Sequence, residues 1–577
     1  MASPVLEQVG RVFSSAVPFV SGNGTVGESL PTLSLRSLYR DGFISWAALY
    51  TFLALWTGYC ITGAIYRLYF DPLAPIPGPK LAAMTTWYEG YYDIWLGGQY
   101  YKKIGELHEK YGQQYQTAID MQLLTRVIGP VVRINPHEIH CNDPEFIDNI
   151  YAGSSRKTDK YRFTGRKTLT KQSMVATISH EMHRKRRGAM ANFFSKQNVK
   201  AVEPKIRRSL NKLLYRMEQA SKTGEIMPMM YVMKAATSDI ITDYAFGKST
   251  NFMDREDYNM PFFQGIELTF LVSPALMHIP WLGPLMEALP LPLVRKIMPG
   301  VGDMYKLREG WMQQIDDIKN SDDPDAGKGT IFDGVLKSKL PEEEKATARL
   351  GHEAQLTVLA GQDTTATTLS SAVYELLANP ECLKKLREEL IRTFPDPNDE
   401  IEFSKVENLP YLHGVIHECL RAHPGVITRM PRVSPEVDVI YNRKGLHYRF
   451  PAGTPMSMTS AHIHFQPEFF PEPMKFSPER WIENPRLDKF LIAFSRGTRN
   501  CLGINLAYQE LYTLMAGVFR KYDVYDGTDT QTVPTLELYD TIRERDVDMN
   551  ADYIVPFPAK GSKSVQVRVR HPEHRSA

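Results

Sequence analysis

Phe494-Ser-Arg-Gly-Thr-Arg-Asn-Cys501-Leu-Gly503 is the stretch on which the reading of this 577-residue chain turns. One cysteine stands between two glycines, Gly497 and Gly503, and residues 504–520 that follow carry a helical pattern. A loop feeding a helix N-terminus offers unpaired N–H groups and a positive dipole end, and both favour a thiolate. Glycine lets the backbone turn sharply and come close to a flat ligand. Arg499 can pair with an anionic group, and Phe494 can cover the sulfur. The segment therefore reads as one that presents a low-pKa cysteine to something planar and electrophilic. Cys501 taken alone reads more readily as a buried free thiol, the usual state of a lone cysteine.

The full pattern Phe-x-x-Gly-x-Arg-x-Cys-x-Gly resembles the haem-binding loop of the cytochrome P450 monooxygenases, in which a cysteine thiolate ligates the iron. The resemblance implies a mainly α fold with small β-sheets. It also implies haem b with Cys501 as the axial metal ligand, and Phe494, Gly497, Arg499 and Gly503 around the cofactor. Further segments carry the likeness. Residues 350–377 read as one long helix, and Ala360-Gly-Gln-Asp-Thr-Thr365 breaks its rules. Glycine costs about 1 kcal/mol inside a helix, and Thr and Asp are poor formers. Small residues at Ala360 and Gly361 leave space beside the helix. Thr364 shares a face with Ala360, and its hydroxyl can bond back to the 360 carbonyl or out to a ligand. A kink without chemistry is the alternative. By resemblance this is the oxygen-activation groove, with Asp363 and Thr364 relaying protons.

Glu418 and Arg421 lie three residues apart and meet on one helix face. Such a pair is ordinarily a surface bridge worth under about 1 kcal/mol. The resemblance instead implies a buried structural pair joined by Arg480 of Phe476-Ser-Pro-Glu-Arg480. The basic run His180-Glu-Met-His-Arg-Lys-Arg-Arg187 reads as a solvated face. The family pattern there is Trp-x-x-x-Arg, which would put His180 in the Trp place and Arg184 in the Arg place, both toward haem propionates. Arg186 and Arg187 would face an acidic electron donor. Arg432 is the best candidate for a second propionate partner, with Arg429 close enough to compete.

A net charge of +2, from 68 basic and 66 acidic residues, gives no sign of nucleic acid. Five scattered cysteines make no disulfide framework and fit a reducing compartment. Residues 1–42 show no clear period; Asn23-Gly-Thr25 is a glycosylation sequon, of use only if this end is lumenal. Residues 43–66 then run without a charge, a span of roughly 36 Å as a helix and long enough for a bilayer. Arginines on both sides leave its orientation open. Pro75-Ile-Pro-Gly-Pro79 must be stiff and non-helical. It resembles the hinge that sets P450 catalytic domains against the membrane. The organisation expected is a lumenal segment (1–42), a transmembrane anchor (43–66), a hinge (67–80) and a haem-thiolate monooxygenase domain (81–577). The resemblance implies that residues 270–304, rich in Pro, Leu, Met and Trp, form a substrate lid; an ordinary pair of core helices is the alternative.

Residues 113–128 depart from the family. Similar chains run Lys-Tyr-Gly-Pro straight into a strand, whereas here sixteen residues part Gly112 from Gly129-Pro130. A surface insertion is one reading. The preferred one is a translated intron, since glycine codons on both flanks permit splice boundaries and Leu124-Thr125 permits a branch point. Excision would remove seventeen codons in frame. The resemblance as a whole points to the fungal trichodiene-oxygenase-like P450s, through Tyr66-Arg-Leu-Tyr-Phe-Asp-Pro-Leu73 among other stretches. It implies oxidation of an apolar natural product at the endoplasmic reticulum membrane. NADPH–cytochrome P450 reductase, and cytochrome b5 as a second donor, would supply electrons. A P450-fold isomerase or dehydratase, and an inactive haem-binding relic, are the alternatives.

Overall fold

Thr347–Ala378 forms one unbroken helix of 32 residues despite its Gly and Thr content, because it is buried along most of its length. Tertiary packing outweighs local propensity there. The computed structural model describes residues 46–119, 129–323, 325–528 and 530–574. Against the long helix lies Met229–Phe246, buried on nearly every side and stopped by Gly247 in the left-handed conformation (φ 74°). The Gly247 N–H donates to Asp243 O at 3.0 Å, a helix end that glycine serves best. Glu203–Thr223, Pro410–Ala422 and Ile504–Lys521 complete the helical layer around this pair. Their inward residues, Leu210, Ile241, Leu369, Val415 and Leu514 among them, share one apolar core.

The sheets are small, and one of them positions the site. Its five strands run in the order Val131–Arg133, Ile139–Cys141, Pro455–Ser457, Arg432–Val433, Asp159–Lys160. The last pair is antiparallel with Lys160 opposite Arg432, so the sheet brings two cations side by side. The strand expected after Gly129-Pro130 is present at Val131–Arg133 and is wholly buried.

Trp46–Tyr69 is a helix whose window Ala48–Tyr69 is long and apolar enough to cross a membrane, with none of it buried against the rest of the chain. Asn23, and residues 43–45 of the expected anchor, lie outside the described residues. The proline stretch is non-helical as read, and Pro77 O accepts the Arg133 N–H at 2.7 Å. The lid stretch carries three short helices, Ser273–His278, Leu282–Ala288 and Leu291–Ile297, between the end of Met260–Leu271 and the start of Pro299–Lys319.

Around the atypical stretch, the backbone of Tyr100–Ile119 continues as helix past Gly112, and 120–128 lie outside the described residues. The two flanking glycines touch. A Cβ on Gly129 would stand 2.9 Å from Gly112 N, and the Gly129 N–H donates to His108 O at 2.8 Å. A chain in which Gly112 runs directly into Pro130 therefore has almost no gap to close. Deleting 113–129 is expected to leave haem content unchanged and Tm within a few degrees, because Gly112 already lies against Gly129 and can take its place before Pro130. Sequenced mature transcripts should lack the corresponding codons. Insoluble deletion protein, together with transcripts that all keep the stretch, would make it a genuine element.

Candidate active site

The cysteine loop owes its shape to one of its two glycines. Gly497 has φ 72°, and a Cβ there would meet Ala152 O at 2.2 Å, so only glycine fits. Gly503 has an ordinary φ of −84° and nothing closer than Phe194 at 3.9 Å. Its contribution is its N–H, directed at the Cys501 sulfur. The Cys501 N–H donates back to Phe494 O at 2.8 Å and closes the loop, and the Phe494 ring lies tilted against Tyr508 with centroids 5.2 Å apart. Cys501 opens onto a central cavity. The low thiol pKa expected from the loop is corrected. Burial pushes Cys501 up, and the Gly503 N–H and Arg187 only partly oppose it. The loop alone does not make the thiolate; coordination to a metal does, by removing the proton outright.

The cavity wall beside the cysteine carries cations without acids. Arg432 donates to Met430 O, Pro431 O and Ser495 Oγ at 3.3 Å each, and Arg499 to Thr158 O, Thr177 O and Ile178 O at 2.6–3.0 Å. Lys160 Nζ donates to Val175 O at 2.9 Å. Among the described residues none of the three forms an ion pair with a carboxylate. Burial, then Arg432 and Arg499, pushes Lys160 down to about 7; burial and Arg432 hold Arg499 at about 10. Uncompensated buried charge of this kind is costly unless an anion enters. Arg429, the competitor of Arg432, is already neutralised by Glu89 at 2.6 Å and Glu138 at 2.8 Å.

The helix His180–Ala191 corrects the expected His180/Arg184 pair. Arg184 is exposed and reaches Glu181 at 3.4 Å, while His180 Nδ1 accepts the Thr158 N–H at 3.3 Å at the helix start. The same His-x-x-x-Arg spacing recurs three residues on, and His183 and Arg187 are the ones that line the cavity. A shift of three residues is nearly one helical turn, so both pairs obey the same spacing and only the tertiary contact separates them. Burial, with Arg499 and Arg187 nearby, pushes His183 down to about 3 and leaves it a neutral donor. Arg187 donates to Asn500 O and Oδ1 at 2.8 and 2.7 Å, and Arg186 holds Glu344 at 2.7 Å, so neither is the free surface cation expected.

On the long helix, Thr364 Oγ1 donates to Ala360 O at 2.8 Å. Ala360 faces the cavity, but the space at Gly361 is filled, since a Cβ there would lie 2.8 Å from Ile241 Cγ1. Gly361 therefore admits the neighbouring helix rather than a ligand. Asp363 is not bonded to Thr364. Its Oδ1 pairs with Lys234 Nζ at 3.0 Å, and the same ammonium reaches Glu267 at 2.8 Å. Lys234 and Glu267 had no motif to mark them.

Glu418 is fully buried and accepts five hydrogen bonds. Its donors are Arg421 (2.8 and 2.9 Å), Arg480 (3.2 Å), the Ser477 N–H (3.0 Å) and Trp481 Nε1 (3.0 Å). Arg421 Nη1 goes on to His464 O at 3.1 Å. His464 Nδ1 donates to Arg421 O at 3.1 Å, which leaves Nε2 to accept the Ile492 N–H at 2.9 Å. Ile492 lies two residues before Phe494, so the network reaches the cysteine loop through a histidine that no motif named.

A cysteine aimed into an apolar cavity, with cations nearby that lack acids, suits a flat group bearing two carboxylates and a metal; this is a haem-thiolate protein. The chain belongs to the cytochrome P450 family, whose model matches residues 91–543. It is 38% identical to cytochrome P450 monooxygenase tpcC of Cochliobolus heterostrophus over 88% of this chain and 94% of that one. To cytochrome P450 monooxygenase TRI4 of Fusarium sporotrichioides it is 34% identical, over 87% and 91% of the two chains. It is also 34% identical to tryptophan 6-hydroxylase fscE of Fusarium equiseti, over 89% and 95%. The expected fold, enzyme class and haem with a cysteine-thiolate ligand are thereby shown.

Proposed function

We propose that the chain oxidises an apolar natural product of terpenoid, meroterpenoid or polyketide type in fungal secondary metabolism. Electrons would come from NADPH–cytochrome P450 reductase at the endoplasmic reticulum membrane. The observation that carries the substrate class is the lining of the cavity above Ala360 and Thr364: Leu169, Met174, Phe270, Leu356, Val426 and Ile554. Cys501 would hold the haem iron, and Lys160, His183, Arg432 and Arg499 its carboxylates through charge-assisted bonds. When bound, the haem supplies activation of molecular oxygen and its insertion into a C–H bond.

Thr364 is the proton-handling group on the cavity side. Its hydroxyl bonds the Ala360 carbonyl at rest and can turn to donate into the cavity. Asp363 sits behind it, held by Lys234. Exposed Arg184 and Lys185 give the helix that bears His183 and Arg187 a basic outer face suited to an acidic electron donor. Membrane association is supported by the bare Trp46–Tyr69 helix, and by exposed Trp87, Trp95, Trp281 and Leu285 on the hinge-side and lid segments.

Comparing metabolites of cells with and without the gene identifies the substrate. Microsomes carrying the chain and the reductase should then label the product from 18O2 only when NADPH is present. Turnover without NADPH would favour an isomerase or dehydratase. In the same assay Thr364→Ala should keep haem while product per NADPH falls on the order of 10- to 100-fold and peroxide rises. Unaltered coupling would leave Thr364 a structural residue.

A further inference from the structure

His278 closes the short lid helix Ser273–His278, is 8% exposed, and has no hydrogen-bond partner at either ring nitrogen. Leaving a buried polar group unsatisfied is costly, and native structures rarely tolerate it without a reason. The ring is held in place, stacked on Trp87 at 5.7 Å and edge-on to Phe163 at 5.2 Å. Gly90 makes room for it, since a Cβ there would approach Nδ1 to 3.3 Å.

Facing the ring are two buried carboxylates, Glu89 and Asp93. They lie four residues apart where the helix Trp87–Gly90 runs into a π-helical turn, Tyr91–Trp95. Such turns are rare and are frequent at functional sites. One donor atom from each of Glu89, Asp93 and His278 lies within 4.8 Å of the other two. Each carboxylate keeps lone pairs in reserve. Glu89 takes one bond from Arg429 and one from Asn135, and Asp93 Oδ1 takes the Tyr100 N–H at 3.2 Å.

The charges around the cluster do not balance. Glu89, Asp93, Glu138 and Asp552 are all buried here, against two buried cations, Arg429 and Lys167. Arg429 is shared between Glu89 and Glu138, and Lys167 is turned to Thr428 Oγ1 at 2.7 Å. Among the described residues Asp93 has no cation of its own. Asp93 therefore stands beside Glu89 and His278 with no cation paired to it, the place a bound metal ion would fill.

We propose that Glu89, Asp93 and His278 bind a divalent transition-metal ion, best matched by Zn2+, that ties the substrate lid to the helix beyond the hinge. Zn2+ takes both imidazole nitrogen and carboxylate oxygen as ligands, and a water would complete its four-coordinate shell here. Mg2+ and Ca2+ prefer all-oxygen sites and do not account for the histidine. The cluster shares no ligand with Cys501 and stands whether or not the substrate reading holds.

The test uses the full-length haem-loaded protein, stripped with a chelator, equilibrated with Zn2+ alone, desalted and analysed for zinc and iron. The wild type should retain one zinc per haem iron, and its Tm should rise on zinc addition. His278→Phe and Asp93→Asn should each retain less than about a tenth as much zinc and show no Tm rise, because losing one of three ligands removes most of the affinity. Haem content reports folding, and Asp93→Asn carries the test if the bulkier substitution fails to fold. His413→Ala breaks a separate His413/His417/Asp488 cluster and should leave zinc retention as in the wild type. A wild type that retains no zinc, variants that retain it fully, or loss confined to His413→Ala would each overturn the assignment.

Discussion

Replacing Cys501 with alanine is expected to abolish the thiolate-type band of the reduced carbon-monoxide complex and to bring oxygenation to background, while the domain still folds. The fold should survive because the loop is built without the sulfur. Gly497 at φ 72°, the Cys501 N–H bonded to Phe494 O and the Arg187 bonds to Asn500 all remain in the variant. Haem should still be captured to a large degree, since Lys160, Arg432 and Arg499 keep their need for anions. Oxygenation cannot survive, because among the described residues no other cysteine lines the cavity. Absorbance of the reduced carbon-monoxide complex and haem per chain decide the matter. An unchanged band in the variant would remove Cys501 from the iron.

What the sequence displays well is whatever repeats in a fixed local pattern. The cysteine loop, the Ala360–Thr365 run, the Glu-x-x-Arg pair and the uncharged 43–66 stretch all sit in continuous segments, so each can be found without knowing the fold. The uncharged run becomes the bare Trp46–Tyr69 helix, and Phe476-Ser-Pro-Glu-Arg480 brings its arginine to Glu418. Reading fails where two local solutions tie and tertiary contact breaks the tie. His180/Arg184 and His183/Arg187 are equal in spacing, and only the turn of the helix against the cysteine loop selects the second. It also fails for residues whose meaning is a partner far along the chain. Lys234 matters through Asp363, and His464 through Ile492; neither has neighbours in sequence that mark it. Gly361 was legible as a small residue but not as the seat of Ile241. The thiol pKa is not legible in the loop for the same reason, because burial is a property of the assembled cavity.

Glu418→Gln is expected to cost about 3–5 kcal/mol, the range for a buried ion pair that loses one partner. That is a large share of the 5–15 kcal/mol typical of a folded domain. The carboxylate accepts five donors with two oxygens, and two of the residues that donate to it are guanidiniums. An amide offers one acceptor oxygen and turns an NH2 toward Arg421 or Arg480, so the variant would both strand positive charge and oppose donor with donor. Arg421 has nowhere to move, since it is 1% exposed and packed against Phe465 and Phe470 at 5.2 and 5.7 Å. Displacing it disturbs His464, whose Nε2 holds the Ile492 N–H, and the disturbance reaches the cysteine loop. Burial and Arg421 push His464 down to about 3, so the imidazole stays neutral and keeps that acceptor in the native protein. Two readouts should therefore move together in Glu418→Gln: Tm falls by several degrees, and the thiolate-type band is replaced in part by one lacking the thiolate signature. Arg480→Lys, at the more exposed rim of the same carboxylate, should cost less and leave the band intact. If Glu418→Gln matches the wild type in Tm and band, the network does not hold the loop and His464 is an ordinary buried histidine.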